Sequence, residues 1–252
     1  MLRVLWNGKS GLISNQNRID AISNNIANVD TNGYKRVDVA FLDILNESVN
    51  RLGVPITSDD KDNLSVGSGT KGERIVRDFS QGILKETGRK TDLAIEGEGY
   101  FRLVDNEGRN FYTRDGAFKI DADGNFVHSS GLILDIENYN NNLSDNDKIR
   151  ISYDGSIYKI NNDEEELVGK INLYRIIGQD AIVSKGENVY SADNVEALEK
   201  FHLRQGFLEA SNADITKELT NMLVTQRAFE LSARTVKSAD EMWQIANNLR
   251  GR

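Results

Sequence analysis

Residues 207–250 read FLEASNADITKELTNMLVTQRAFELSARTVKSADEMWQIANNLR, bounded by Gly206 and Gly251 and free of internal glycine and proline. Those two residues weaken a helix interior by about 1 and about 3 kcal/mol relative to alanine, so their absence over this length predicts one long helix. Counting in sevens from Leu208 gives Ile215, Met222, Phe229, Val236 and Trp243, an unbroken apolar stripe at the heptad spacing of helices that pack lengthwise. The second seam position is uneven. Leu219 and Ala233 suit a core there, whereas Gln226, Asp240 and Asn247 do not, so the stripe is narrow. Ser211 is placed to cap the start, with Asp214 three residues on, and at roughly 1.5 Å per residue the helix spans about 50 Å.

The other end of the chain carries the same period, with Leu5, Leu12, Ile19 and Ile26 at sevens and Ile22 and Val29 on the adjacent row. A helix with one narrow apolar stripe must bury it, and the nearest candidate is the other terminal helix, of this chain or of a neighbour. Ordinary core packing explains one stripe alone more readily than it explains two matching ones at both ends. The architecture expected is therefore α+β, with long N- and C-terminal helices (1–33 and 205–252) pairing as a coiled-coil-like domain around an inserted antiparallel β-rich domain (71–204). Residues 34–70 form a connecting segment and extended loop.

The 252 residues hold 31 Lys and Arg against 39 Asp and Glu, for a net charge of −8, and no cysteine. An acidic balance with scattered cations gives no electrostatic case for nucleic acid or for an anionic membrane surface. Without cysteine there is no disulfide framework, Cys-ligated metal or thiol nucleophile. The opening Met1-Leu2-Arg3-Val4-Leu5-Trp6 turns polar at Asn7, short of a signal peptide's apolar region, and no apolar run of 18 residues could span a bilayer. Export, if it occurs, is expected to leave the N-terminus uncleaved.

The first helix is asparagine-rich at Asn24, Asn25 and Asn28, and Asn32-Gly33 should stop it, because Gly33 takes the left-handed conformation that satisfies the last carbonyls. The asparagines either face solvent or, if buried, fix the register of packed helices. Asn46 to Thr70, with the lone proline and an acidic patch at Asp59, Asp60 and Asp62, reads as a loop or arm able to reach a neighbouring subunit. From Lys71 to about Ala192 the period changes from seven to two, giving short strands between Glu73 and Ile177. Asn138 to Asn146 and Asn161 to Glu166 read as polar loops, and Asp115-Gly116, Asp123-Gly124 and Asp154-Gly155 as hairpin turns.

Signals for chemistry are weak. Gly67-Ser-Gly69-Thr-Lys-Gly72 matches a dinucleotide fingerprint, but the residues after it read as strand, so no helix N-terminus would meet a pyrophosphate. Asp121-Ala-Asp123-Gly-Asn125 begins like a calcium loop yet has Phe126 at the sixth position and Leu132 at the twelfth. His128 and His202 lack partners at metal-ligand spacing, and no local pattern singles out a catalytic carboxylate, Asp92 and Glu96 included. The expectation is no enzyme, metal, cofactor or small-molecule substrate.

Four blocks carry a resemblance. Ser23-Asn-Asn-Ile-Ala-Asn-Val-Asp-Thr-Asn-Gly-Tyr-Lys-Arg36 closely resembles the N-terminal signature of bacterial flagellar rod and hook proteins, with Asn24, Asn25, Asn28, Gly33, Tyr34 and Lys35 as motif positions. Asp78-Phe-Ser-Gln-Gly-Ile-Leu-Lys-Glu-Thr-Gly88 with Asp92-Leu-Ala-Ile-Glu-Gly-Glu-Gly-Tyr-Phe101 is similar to the family's central block. Tyr112-Thr-Arg-Asp-Gly-Ala-Phe118 is similar to its hairpin block, and Leu208-Glu-Ala-Ser-Asn-Ala-Asp214 leading to Glu230 to its C-terminal helix. The opening residues and Gly33 to Asp43 are most similar to distal-rod members. Val37-Asp38-Val39 and Leu45-Asn46-Glu47 depart from them, and Leu143 to Ala192 shows no family pattern.

The resemblance implies a structural subunit of the basal-body rod that assembles with copies of itself and with other rod and hook proteins into a hollow helical tube and transmits motor torque to the hook. It also implies passage through the flagellar type III export apparatus. A proximal-rod or hook-type position is the alternative inside the family, and a cytosolic coiled-coil adaptor the alternative outside it. The two stripes would be completed by neighbouring subunits, so the free chain's ends are expected to be partly unfolded.

Overall fold

The computed structural model describes residues 2–43, 46–48, 65–67, 70–140, 143–144, 147–161, 164–178 and 182–250. The chain forms two compact units, one of Met1–Ala27, Arg36–Asp78 and Ala213–Arg252, the other of Asn28–Lys35 and Phe79–Asn212.

The first unit holds two helices, α1 (Leu2–Ala27) and α2 (Ile215–Arg250), and an antiparallel strand pair, Val37–Asp43 with Thr70–Arg77. Ala21 of α1 packs with Val37 and Val39 in a small core. Three expectations need correction here. Helix α2 begins at Ile215, eight residues later than Phe207, because Phe207–Glu209 is a strand hydrogen-bonded to Leu84–Glu86 in the second unit. Its cap is Asp214 rather than Ser211: the Asp214 carboxylate accepts from the N–H groups of Thr216 (2.9 Å) and Lys217 (3.3 Å), which the first turn leaves without helical partners. Helix α1 stops at Ala27, ahead of the expected Gly33, although Gly33 does adopt a positive φ of 66°. Asn46–Ser48 and Ser65–Gly67 pair as short strands, while 49–64, with the acidic patch, lie outside the described residues. Gly67 ends one strand and Thr70 opens the next, so the dinucleotide fingerprint has no helix after it.

The second unit is antiparallel β throughout. A nine-stranded sheet and a four-stranded sheet are joined by two strand pairs, Leu93–Glu96 with His202–Gln205 and Leu84–Glu86 with Phe207–Glu209. The alternation of strand Tyr100–Val104 divides its interior: Phe101 and Leu103 join an aliphatic and phenylalanine core, while Tyr100 joins Tyr112, Tyr174 and Tyr190 on the other face. Phe101 meets Phe118 edge to face at 5.4 Å.

Turn chemistry differs from expectation in an instructive way. Asp123-Gly124 and Asp154-Gly155 do turn hairpins, but only the glycines take positive φ, so these are not type I′ turns. The positive φ pair is Glu187 (50°) and Asn188 (58°), joining Val183–Gly186 to Val189–Ser191 with no glycine between the two. Asp115-Gly116 is no hairpin turn: Gly116 lies so close to strand Leu93–Glu96 that a Cβ would fall 1.6 Å from the Leu93 carbonyl oxygen. The expected loop at Asn161 to Glu166 is instead the end of a hairpin, Ser156–Asn161 with Glu164–Ile171.

Candidate functional site

Helices α1 and α2 pack through small and polar side chains. A Cβ on Gly8 would lie 2.6 Å from Val236 Cγ2 and one on Gly11 3.2 Å from Ser232 Oγ, so glycine at both positions sets how closely the helices approach. Near the other end of α1, Asn25 reaches Glu218. Rising numbers on α1 therefore meet falling numbers on α2, and the helices run antiparallel. The buried positions on α1 are Gly8, Ser14, Ala21, Ile22 and Asn25, and on α2 they are Glu218, Thr225 and Ala239.

The apolar stripes are only partly covered at this seam, which Val236 enters opposite Gly8. Leu5, Leu12, Ile19, Ile26, Met222, Phe229 and Val236 are half-buried, and of the expected packing residues on the helices only Ile22 is fully enclosed. Ile215, Leu219 and Trp243 are exposed, as are Leu223, Val224 and Leu231, each with 62% of its surface open. Val29 is half-buried in the turn after α1, and Leu208 is buried in its strand of the β unit, outside any helix. The heptad count passed over the buried seam positions themselves, because polar and glycine residues carry no hydropathy signal.

Asn25 explains the asparagine run. Its amide donates to the Val37 carbonyl (2.8 Å) and accepts from the Val37 N–H (2.9 Å), as a neighbouring strand would, and it also donates to Glu218 Oε2 (3.3 Å). Every polar atom of this buried amide thus has a partner, which offsets its burial. Asn24 is exposed, and Asn28 accepts from the Thr31 hydroxyl at 3.2 Å. Arg36 donates to Glu218 Oε1 at 2.6 Å. Partial burial works against the guanidinium's charge, but the hydrogen bond and attraction from Glu218 outweigh it and raise the Arg36 pKa.

The remaining motif residues are held in the β unit. Lys35, fully buried, donates to Glu209 Oε1 (2.5 Å) and to the Ser80 carbonyl (2.8 Å), and Arg114 pairs with Glu209 Oε2 at 3.3 Å. The Gly82 N–H donates to the same carboxylate (2.7 Å), and the Gly33 N–H to the Glu209 carbonyl (2.7 Å). Gly33 is required twice over: beyond its positive φ, a Cβ there would lie 2.6 Å from the Asp115 nitrogen. Tyr34 is buried alongside. Sequence reasoning missed Glu209, Glu218, Arg36 and Arg114; the adjacent Lys35-Arg36 doublet was the available signal, since each member pairs with a buried glutamate near the start of the C-terminal segment.

Three family models match the chain: "Flagella basal body rod protein" over residues 5–35, "Flagellar hook protein FlgE/F/G D1 domain" over 94–163 and "Flagellar basal body rod FlgEFG protein C-terminal" over 204–249. The chain belongs to the flagellar rod and hook protein family. Among its relatives, the flagellar basal-body rod protein FlgG of Borreliella burgdorferi is 36% identical, the match covering 99% of both chains. FlgG of Buchnera aphidicola from Acyrthosiphon pisum is 33% identical over 99% of this chain and all of that protein, and FlgG of Bacillus subtilis 31% identical over the same shares. Among the described residues, no helix is long and apolar enough to cross a membrane.

Proposed function

We propose that the chain is a structural subunit of the distal rod of the flagellar basal body, assembling with copies of itself and with other rod and hook proteins into a hollow helical tube that carries torque to the hook. One observation carries the assembly reading: after α1 and α2 have packed, Leu219, Leu223, Leu231 and Trp243 of α2 still face solvent. So many exposed apolar side chains on one helix support reading it as a surface for protein contacts. Coiled-coil-like packing of α1 and α2 with neighbouring copies would enclose it, and the half-buried stripe Leu5, Leu12, Ile19 and Ile26 with it. The β unit has a closed apolar core of its own and would take no catalytic part. Delivery by the flagellar type III apparatus suits ends that complete their packing only on assembly.

Electron microscopy of basal bodies from a strain lacking this chain tests the reading. The expected result is a short rod stub without a hook. A complete rod lacking only the hook would move the chain outward to a hook-type position, and an intact rod and hook would favour a cytosolic adaptor and overturn the proposal.

A further inference from the structure

We propose that Ser130 of the β unit is an acyl-acceptor site, its hydroxyl polarised by a buried His128–Asp115 pair and modified by an activated acyl donor such as a thioester or acyl phosphate. His128 and Ser130 belong to the turn that joins strand Phe126–Val127 to strand Ile133–Leu134, and Asp115 follows strand Asn110–Thr113 by two residues. The turn is fixed by its own backbone. The His128 N–H donates to the Leu132 carbonyl (2.8 Å) and the Gly131 N–H to the His128 carbonyl (2.9 Å), with Gly131 at a positive φ of 79°.

The ring of His128 is fully enclosed and meets Phe118 edge to face at 6.2 Å, which fixes its plane. Its Nδ1 lies 2.8 Å from Ser130 Oγ. The Ser130 N–H donates to the same nitrogen at 3.2 Å, and because an N–H only donates, Nδ1 carries a lone pair and the proton of the neutral ring sits on Nε2. That is the tautomer a base needs toward the Ser130 hydroxyl. Nε2 has no hydrogen-bond partner among the described residues, but it lies 3.4 Å from Asp115 Oδ2. Asp115 is held in turn, its Oδ1 accepting from the Ala117 N–H (3.0 Å) and its own N–H donating to Thr113 Oγ1 (3.0 Å). A positive charge on the enclosed ring is costly alone, and a carboxylate at this distance offsets that cost.

Hydroxyl, base and carboxylate thus lie within reach of one another in the order that activates a serine, with the two ring nitrogens exchanged relative to the usual triad. Ser130 is half-buried, so a small donor has access to it. Its Oγ bonds to the acyl carbon as the bond to the leaving group breaks. The hydroxyl proton passes to His128 Nδ1 and then to the leaving group, with no change of oxidation state. The amides of Ser130 and Gly131 are already hydrogen-bonded, so they are not free to steady the oxyanion of a hydrolytic second step. The product is therefore a retained ester, and the site accepts a modification without turning over a substrate.

The test treats the full-length chain with p-nitrophenyl acetate and reads labelled peptides by mass spectrometry. Ser129, exposed and one residue away, is the internal control. Ser130 should be acetylated about tenfold faster than Ser129 or more, a gain within reach of general-base assistance. His128→Gln should bring the two rates together. Asp115→Asn, which presents an amide to the ring and disfavours the base tautomer, should lower the Ser130 rate, with recovery in Asp115→Glu and an unchanged near-ultraviolet signal. Equal rates at Ser129 and Ser130 in the unaltered chain, or an undiminished Ser130 rate in His128→Gln, overturns the proposal.

Discussion

The main cluster sealed from water in the β unit is apolar, with Leu93, Ile95, Phe101, Leu103, Phe118 and Phe126, whereas in the helical unit Ser14, Asn25, Glu218 and Thr225 are buried beside the smaller apolar set Ala21, Ile22, Val37, Val39 and Ala239, and leucines face the solvent. The difference teaches what each region is for. A core of apolar side chains at crystal-like density stabilises a fold by itself. A polar, glycine-spaced seam fixes register and direction at little hydrophobic gain, leaving the apolar rows for another surface. The comparison is sharpened or broken by substitutions that act on one unit alone.

The largest effect is expected from Phe229→Asp, which puts a carboxylate into the row proposed to pack in assembly, at a cost of several kcal/mol unless it is paired. Incorporation into rods should be lost while the near-ultraviolet signal of the β unit is unchanged; normal motility in this variant would sink the interface claim. Next comes Glu209→Ala, which strands Lys35 and Arg114 in the β unit without their shared carboxylate. Urea titration should show a loss of about 3–5 kcal/mol, the range for breaking a buried pair. A loss below about 1 kcal/mol would mean the cluster is not sealed, since exposed pairs are worth no more than that.

Gly8→Leu should cost about 1–3 kcal/mol by overpacking the seam against Val236, read as reduced helical circular dichroism with the β unit intact. Gly8→Ala should cost less than Gly8→Leu, because better helix propensity partly offsets the close contact its Cβ makes with Val236. The smallest effect is Tyr139→Phe, about 1 kcal/mol at neutral pH for the hydrogen bond its hydroxyl donates to the Gly124 carbonyl. Burial pushes the Tyr139 hydroxyl up to about 12. Its proton is thus held more tightly in the folded chain than in the unfolded one, where it leaves near pH 10. Stability from this group is full below about pH 10 and falls as pH rises toward 12. The Phe variant should lose less stability across that window, and equal losses would contradict the assignment.

Much of this contrast was legible in the sequence. Heptads need only a count, so both helices and the apolar rows were readable, as was the change to period two at the β unit. The Asp-Gly pairs located two hairpins, 123–124 and 154–155. What could not be read was pairing across long separations. Phe207–Glu209 continues the helical pattern without interruption, yet Leu84–Glu86 captures it as a strand, so Glu209 looked like a surface residue when it anchors Lys35. Tertiary pairing overrode local propensity there. The seam itself was hidden because Gly8, Ser14, Thr225 and Ser232 matter for their smallness and polarity, which an apolar count passes over.

Amide hydrogen exchange on the free chain and on assembled rods tests the central claim most directly. The account predicts that in the free chain α1 and α2 exchange far faster than strands such as Tyr100–Val104, and that assembly slows the helices to match the strands. Helices already as protected as those strands in the free chain, with no change on assembly, would contradict it.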